Sequence, residues 1–187
     1  LDMYLQSDDI DIKVYDKLID TVSKNTSSLH KYVSLRKEVL KLDKVYYYDM
    51  FAPIVEPVDN EITYDKGQGI IYSALSPLGK EYGDIIYKAF NEKWIDAYSN
   101  DNKVSGAYCL SIYDEHPYIL TNYNNTLGSV STLAHELGHA AYEYMSAKNQ
   151  NYFNSNPSIF THEVASITNE ALLYEVLIRN ASNDKEK

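Results

Sequence analysis

Two histidines four residues apart, His135 and His139, bracket Glu136 in the stretch 132–142, TLAHELGHAAY. Four residues is slightly more than one helical turn, so on a helix both imidazoles stand on one face and can reach a single ion. Glu136 then lies about 100° around from His135. There it can approach an attacking water without being forced to ligate, the placement a general base needs. A tetrahedral Zn²⁺ takes nitrogen or oxygen donors at about 2.0–2.2 Å and, where it is catalytic, leaves one position open. The pattern arises by chance in such a chain roughly once in a hundred times. A helix carrying two unrelated histidines is therefore the weaker reading.

A third donor is available. Glu163 follows His139 by twenty-four residues, and Glu170 follows Glu163 by seven, which puts both carboxylates on one face of a second helix. Carboxylates on a helix rich in alanine, leucine and isoleucine are costly to bury unless something cationic meets them. Glu163 as the ligand, with Glu170 orienting a ligand histidine, is the economical assignment. From the residues alone, a solvated charge at either position stays open. His162, about 100° from Glu163, is left out as a ligand. His30 reads as surface. His116, in a turn, can touch substrate or simply face solvent.

These side chains need elements to hold them. Apolar residues at helical spacing predict helices over 10–24 and 28–42, joined by a short break into an antiparallel pair. The stretch 46–60, with Pro53 and Pro57, reads as an extended connection. Further helices are predicted over 64–75 and 79–93, followed by a polar loop, WIDAYSNDNKVSG. GAYCLSIY and PYILTNY, separated by DEH, read as a β-hairpin. A helix capped near Asn125 or Thr126 then carries the histidines. The last helix has Asn156 as its cap and Pro157 at its first position. The fold class is mainly α with one small antiparallel hairpin.

Composition narrows the function from outside. With 187 residues and 44% hydrophobic content the chain can fold around a sizeable core. A net charge of −10 offers no basic stripe for phosphates, which argues against nucleic acid. No apolar run approaches the roughly 18 residues of a membrane span. The lone Cys109 excludes an internal disulfide and a cysteine-rich zinc cluster, and fits a reducing cytoplasm. The opening residues, LDMYLQSDDIDIKVYD, read as mid-protein sequence.

TLAHELGHA followed by SIFTHEVASITNEALL resembles the oligoendopeptidase F branch of the thimet-oligopeptidase-like zinc metallopeptidases. SGAYC, HPYILTNYNNTL, EKWIDAYSN, ALSPLGKEY and LHKYVSLRKEVLKLD extend the resemblance over nearly the whole chain. It implies one zinc per chain held by His135, His139 and Glu163, with Glu136 as catalytic base. It also implies a zincin-like, mostly helical scaffold and hydrolysis of short unstructured peptides. An edge of the 106–123 hairpin would hold the substrate backbone, with Gly106, Ala107, Tyr108 and His116 as contacts. That Gly106 merely starts a strand stays open.

Two departures stand out. Tyr142 occupies a position where relatives often carry a histidine, though not as a required ligand. Family members are also about three times longer, so residues 1–187 are expected to be part of a single catalytic domain. The oxyanion-stabilising loop is expected downstream, and the isolated chain to turn over weakly or not at all. Two rivals remain at this level: a helical zinc carboxypeptidase, and a non-catalytic metal- or peptide-binding fragment.

Overall fold

A computed structural model describes residues 5–6, 9–55 and 61–182. The chain divides into two units, residues 1–58 and 59–187. In the first, helix α1 (Ile12–Lys24) is capped by Asp11, whose carboxylate accepts from the Lys13 amide at 2.9 Å. Helix α2 (Ser27–Val39) follows after two residues. The anticipated pairing of their apolar stripes is not found. Helix α1 buries no residue, and Val14, Leu18, Val22, Leu29, Leu35 and Val39 are all exposed. Thr26, the second linking residue, holds helical dihedrals.

Arg36, a charged residue of α2, is only 4% exposed. Its guanidinium donates to Asp49 O at 2.7 Å, to Ala52 O, and to the Tyr32 hydroxyl at 3.0 Å. Those carbonyls belong to and follow a 3-10 turn, Tyr47–Phe51, inside the segment read as extended. The remainder of that segment, 56–60, lies outside the described residues.

The second unit holds the core. Helix α3 (Tyr64–Leu75) starts at Thr63, and after a 3-10 turn at Ser76–Leu78 helix α4 covers Lys80–Asn91. Strands β1 (Ile95–Asp96), β2 (Tyr108–Leu110) and β3 (Tyr118–Leu120) form a sheet in the order β1-β3-β2. The predicted hairpin is present as β2 and β3, antiparallel, with Cys109 opposite Ile119. Strand β1, parallel to β3, lies in what the sequence presented as a polar loop. Two residues are too few for an alternating pattern to show. Its signature is tertiary: Ile119 N donates to Trp94 O at 2.7 Å, and Trp94 is 2% exposed.

Helix α5 (Leu127–Asn149) is capped by Thr126 and runs through the middle of the core. Val130, Leu133, Ala134, Leu137, Ala140 and Ala141 are essentially inaccessible to solvent. Such all-round burial marks a central helix rather than a surface one. Helix α6 (Ile159–Asn180) packs along it, with Leu173 in the core. Its cap is Ser158, two residues later than predicted, because the Ser158 carbonyl rather than that of Asn156 receives the first-turn amides of Thr161 and His162. Among the described residues no helix is long and apolar enough to cross a membrane.

Candidate metal centre

Helix α5 delivers His135 and His139 from one face, and α6 delivers Glu163 from the facing surface. The two imidazole Nε2 atoms are 3.0 Å apart. Glu163 Oε2 is 3.4 Å from His135 Nε2 and 3.7 Å from His139 Nε2. Bonds of about 2.0–2.1 Å in tetrahedral directions would separate donor atoms by about 3.3 Å. The three donors therefore fit one divalent ion, and among the described residues they are the one such group whose ligand atoms lie within 4.8 Å of each other.

The neighbours set the chemical state of the donors. Glu170 Oε1 lies 2.5 Å from His135 Nδ1. A carboxylate there requires Nδ1 to carry the proton, which leaves the Nε2 lone pair free for a cation. The same carboxylate accepts from Ser131 Oγ, which also contacts the Tyr174 hydroxyl at 3.0 Å. Glu163 is steadied by Ser166, which donates to Glu163 Oε2 at 2.8 Å, the same oxygen that faces both histidines. His139 is 7% exposed. Burial, then the nearby His162 and His135, push it down to about 4, so it is neutral at ordinary pH, as a ligand must be.

Glu136 is 6% exposed, and its Oε2 is buried without a hydrogen-bond partner. Burial pushes its carboxyl up to about 7; His135 opposes the rise, and Glu163 and Glu143 add to it. A desolvated carboxylate titrating near neutrality is suited to taking up and releasing a proton.

Backbone packing brings the two helices this close. A Cβ at Gly138 would stand 2.6 Å from Ser166 Cα and 2.8 Å from Ala165 O, closer than real side chains come. Asn169, wholly buried, donates to Ala134 O at 3.0 Å and accepts from the Tyr82 hydroxyl at 2.8 Å, tying α4 and α6 to the turn of α5 just before His135. Gly138, Ser166 and Asn169 are not among the candidates that motif spacing picks out. Their signal was present as small or amide residues inside apolar helices, one beside each metal-site motif.

His116 does not join this cluster. Its ring lies flat on Trp94, with centroids 5.2 Å apart and planes 1° apart, and packs against Tyr118. It lines a separate pocket of about 520 Å³ with Tyr144 and Lys148, from the far end of α5. It is thus neither a free turn residue nor a neighbour of the donors. Gly106, with φ +91, opens the approach to β2, and Asn122 Nδ2 donates to its carbonyl at 2.9 Å. Ala107 and Tyr108 follow at the sheet's β2 edge, and Cys109 reaches Glu143 of α5 at 3.4 Å. That edge therefore runs beside the helix carrying the histidines.

Comparison with known proteins gives the same direction. Residues 1–187 match the family model described as Peptidase family M3. The chain is 41% identical over 183 residues to oligopeptidase PepF of Bacillus subtilis, covering 98% of this chain and 27% of the relative. It is 39% identical over 183 residues to an oligoendopeptidase F homolog of Borreliella burgdorferi, covering 97% of this chain and 31% of the relative. A crystal structure from Chlamydophila abortus, 39% identical, superposes with a TM-score of 0.85 over 97% of this chain and 30% of that one. The chain spans less than a third of the length of these proteins.

Proposed function

Since this chain belongs to Peptidase family M3, we propose that it is the central catalytic segment of a zinc endopeptidase acting on short, unstructured peptides in the cytoplasm. Residues 1–187 are taken as part of one catalytic domain. The substrate class follows the relatives' names, oligopeptidase and oligoendopeptidase. One observation carries the metal assignment: two imidazole nitrogens and a carboxylate oxygen converge with separations of 3.0, 3.4 and 3.7 Å.

His135, His139 and Glu163 would hold one zinc per chain. When bound, the ion supplies Lewis acidity for the water and the scissile carbonyl. Glu136 takes the proton of the attacking water on its carboxylate and hands it to the leaving amine. Its burial favours the uptake, because the charged form is destabilised, while a carboxyl near 7 can still release the proton at neutral pH. Glu170 keeps His135 in the ligating tautomer. The β2 edge, from Gly106 through Ala107 and Tyr108, would pair with an extended substrate backbone alongside α5.

Glu136→Gln tests the base directly, because it keeps size and leaves the donors intact. In the full-length protein it should retain about one zinc while losing about 10²–10⁴-fold in hydrolysis of an internally quenched peptide. Unchanged turnover by the variant would remove Glu136 from the reaction. Blocking both peptide termini separates an endopeptidase, which still cleaves, from a carboxypeptidase, which needs the free end.

A further inference from the structure

His162 lies outside the donor set and yet touches it. Its ring centroid is 4.0 Å from that of His139, with the planes 37° apart, and the Tyr142 ring stands 5.9 Å away. Glu143 Oε1 sits 3.2 Å from His162 Nε2, out of line for a hydrogen bond. Both side chains are largely buried, 15% and 11% exposed. The other Glu143 oxygen accepts from Cys109 Sγ at 3.4 Å, so one carboxylate touches both strand β2 and the first turn of α6.

The two ligand histidines are held differently. His135 has its Nδ1 fixed by Glu170. His139 Nδ1 has no well-aligned hydrogen bond, although the His162 backbone approaches its ring. The χ2 torsion of histidine is broad and roughly two-fold, so a ring without such a bond turns unless packing stops it. We infer that His162 does this for His139: it is a positioning residue whose ring, wedged by Glu143 and Tyr142, fixes the plane of His139 with Nε2 toward the shared ion. Ring contact, not a ligand bond, is the means. The inference rests on the metal-centre reading above and adds a residue to it.

Zn²⁺ affinity, measured by competition with a chromophoric chelator, and the visible spectrum of the Co²⁺ form together test this in the chain, its His162→Ala and its His162→Phe forms. Loss of a supporting partner typically costs about 10–100-fold in metal affinity, the drop expected for His162→Ala together with altered Co²⁺ bands. His162→Phe keeps a ring without nitrogens and should return to within about threefold of the parent, well inside that range. Far-UV circular dichroism and melting of the metal-free forms check that each variant is folded. A folded His162→Ala with parental affinity overturns the inference, and so does a folded His162→Phe as weak as the alanine form. A folded parent that binds neither metal removes the metal centre itself, a different and recognisable failure.

Discussion

Gly138→Ala adds one methyl group where α5 and α6 meet. The new carbon would lie 2.6 Å from Ser166 Cα and 2.8 Å from both Ala165 O and Ser166 N. Carbon atoms rest at about 3.5–4.0 Å, so the helices must separate by about 1 Å. All three obstacles are atoms of α6 backbone, which cannot rotate aside. Overpacking of this kind costs about 1–3 kcal/mol. Alanine is a better helix former than glycine by about 1 kcal/mol, so the net loss of stability should be only about 0–2 kcal/mol. Metal binding should suffer more. Glu163 sits one turn from Ser166 on the displaced helix, and a metal site tolerates about 0.2 Å in its donor distances. A drop in Zn²⁺ affinity of at least 10-fold is expected, comparable to losing an outer partner of a ligand. Chelator competition reads the affinity, and thermal melting of the metal-free protein reads the stability. Gly69→Ala on α3 is the control: nothing lies within 4 Å of its Cβ, so affinity should be unchanged and stability equal or higher. A folded Gly138→Ala that binds zinc as tightly as the parent would show that the close helix contact does not set the site.

Two further outcomes follow from the same geometry. Ser166→Ala removes the 2.8 Å hydrogen bond to Glu163 Oε2 without changing volume, so zinc affinity should fall about 10-fold; parental affinity would show that the hydroxyl does not hold the ligand. In metal-free protein, Glu136 binds a proton more readily folded, near 7, than unfolded, near 4.5, so its contribution to stability falls as pH rises through that window. Metal-free Glu136→Gln should therefore melt above the parent at pH 8, with the gap closing as pH drops toward 4.5. Melting curves that stay parallel across this range would contradict the burial of that charge.

The two helices that bear the candidate donors were legible in the sequence because their information is local. His135 and His139 are one turn apart, and Glu163 and Glu170 two turns apart, so helix geometry alone puts each pair on one face. In the structure Glu163 Oε2 faces both Nε2 atoms and Glu170 Oε1 meets His135 Nδ1. What could not be read is whatever depends on contact between distant segments. His162 lies about 100° around the helix from Glu163, and only the packing of α6 on α5 puts its ring on His139. Gly138 carries no local sign of its role, which is the close backbone contact with Ser166. Strand β1 was hidden because two residues show no period, and Arg36 because the carbonyls that bury it lie 13 and 16 residues away.

Zinc stoichiometry speaks most directly to the centre of the proposal. The purified chain, equilibrated with Zn²⁺ and freed of excess by gel filtration, should carry about one zinc, the count one donor triad can hold. Folded His139→Ala and Glu163→Ala forms should carry essentially none after the same treatment. A folded parent chain without zinc, or one equivalent surviving in both variants, would place the ion elsewhere or nowhere, and His135, His139 and Glu163 would not be a metal site.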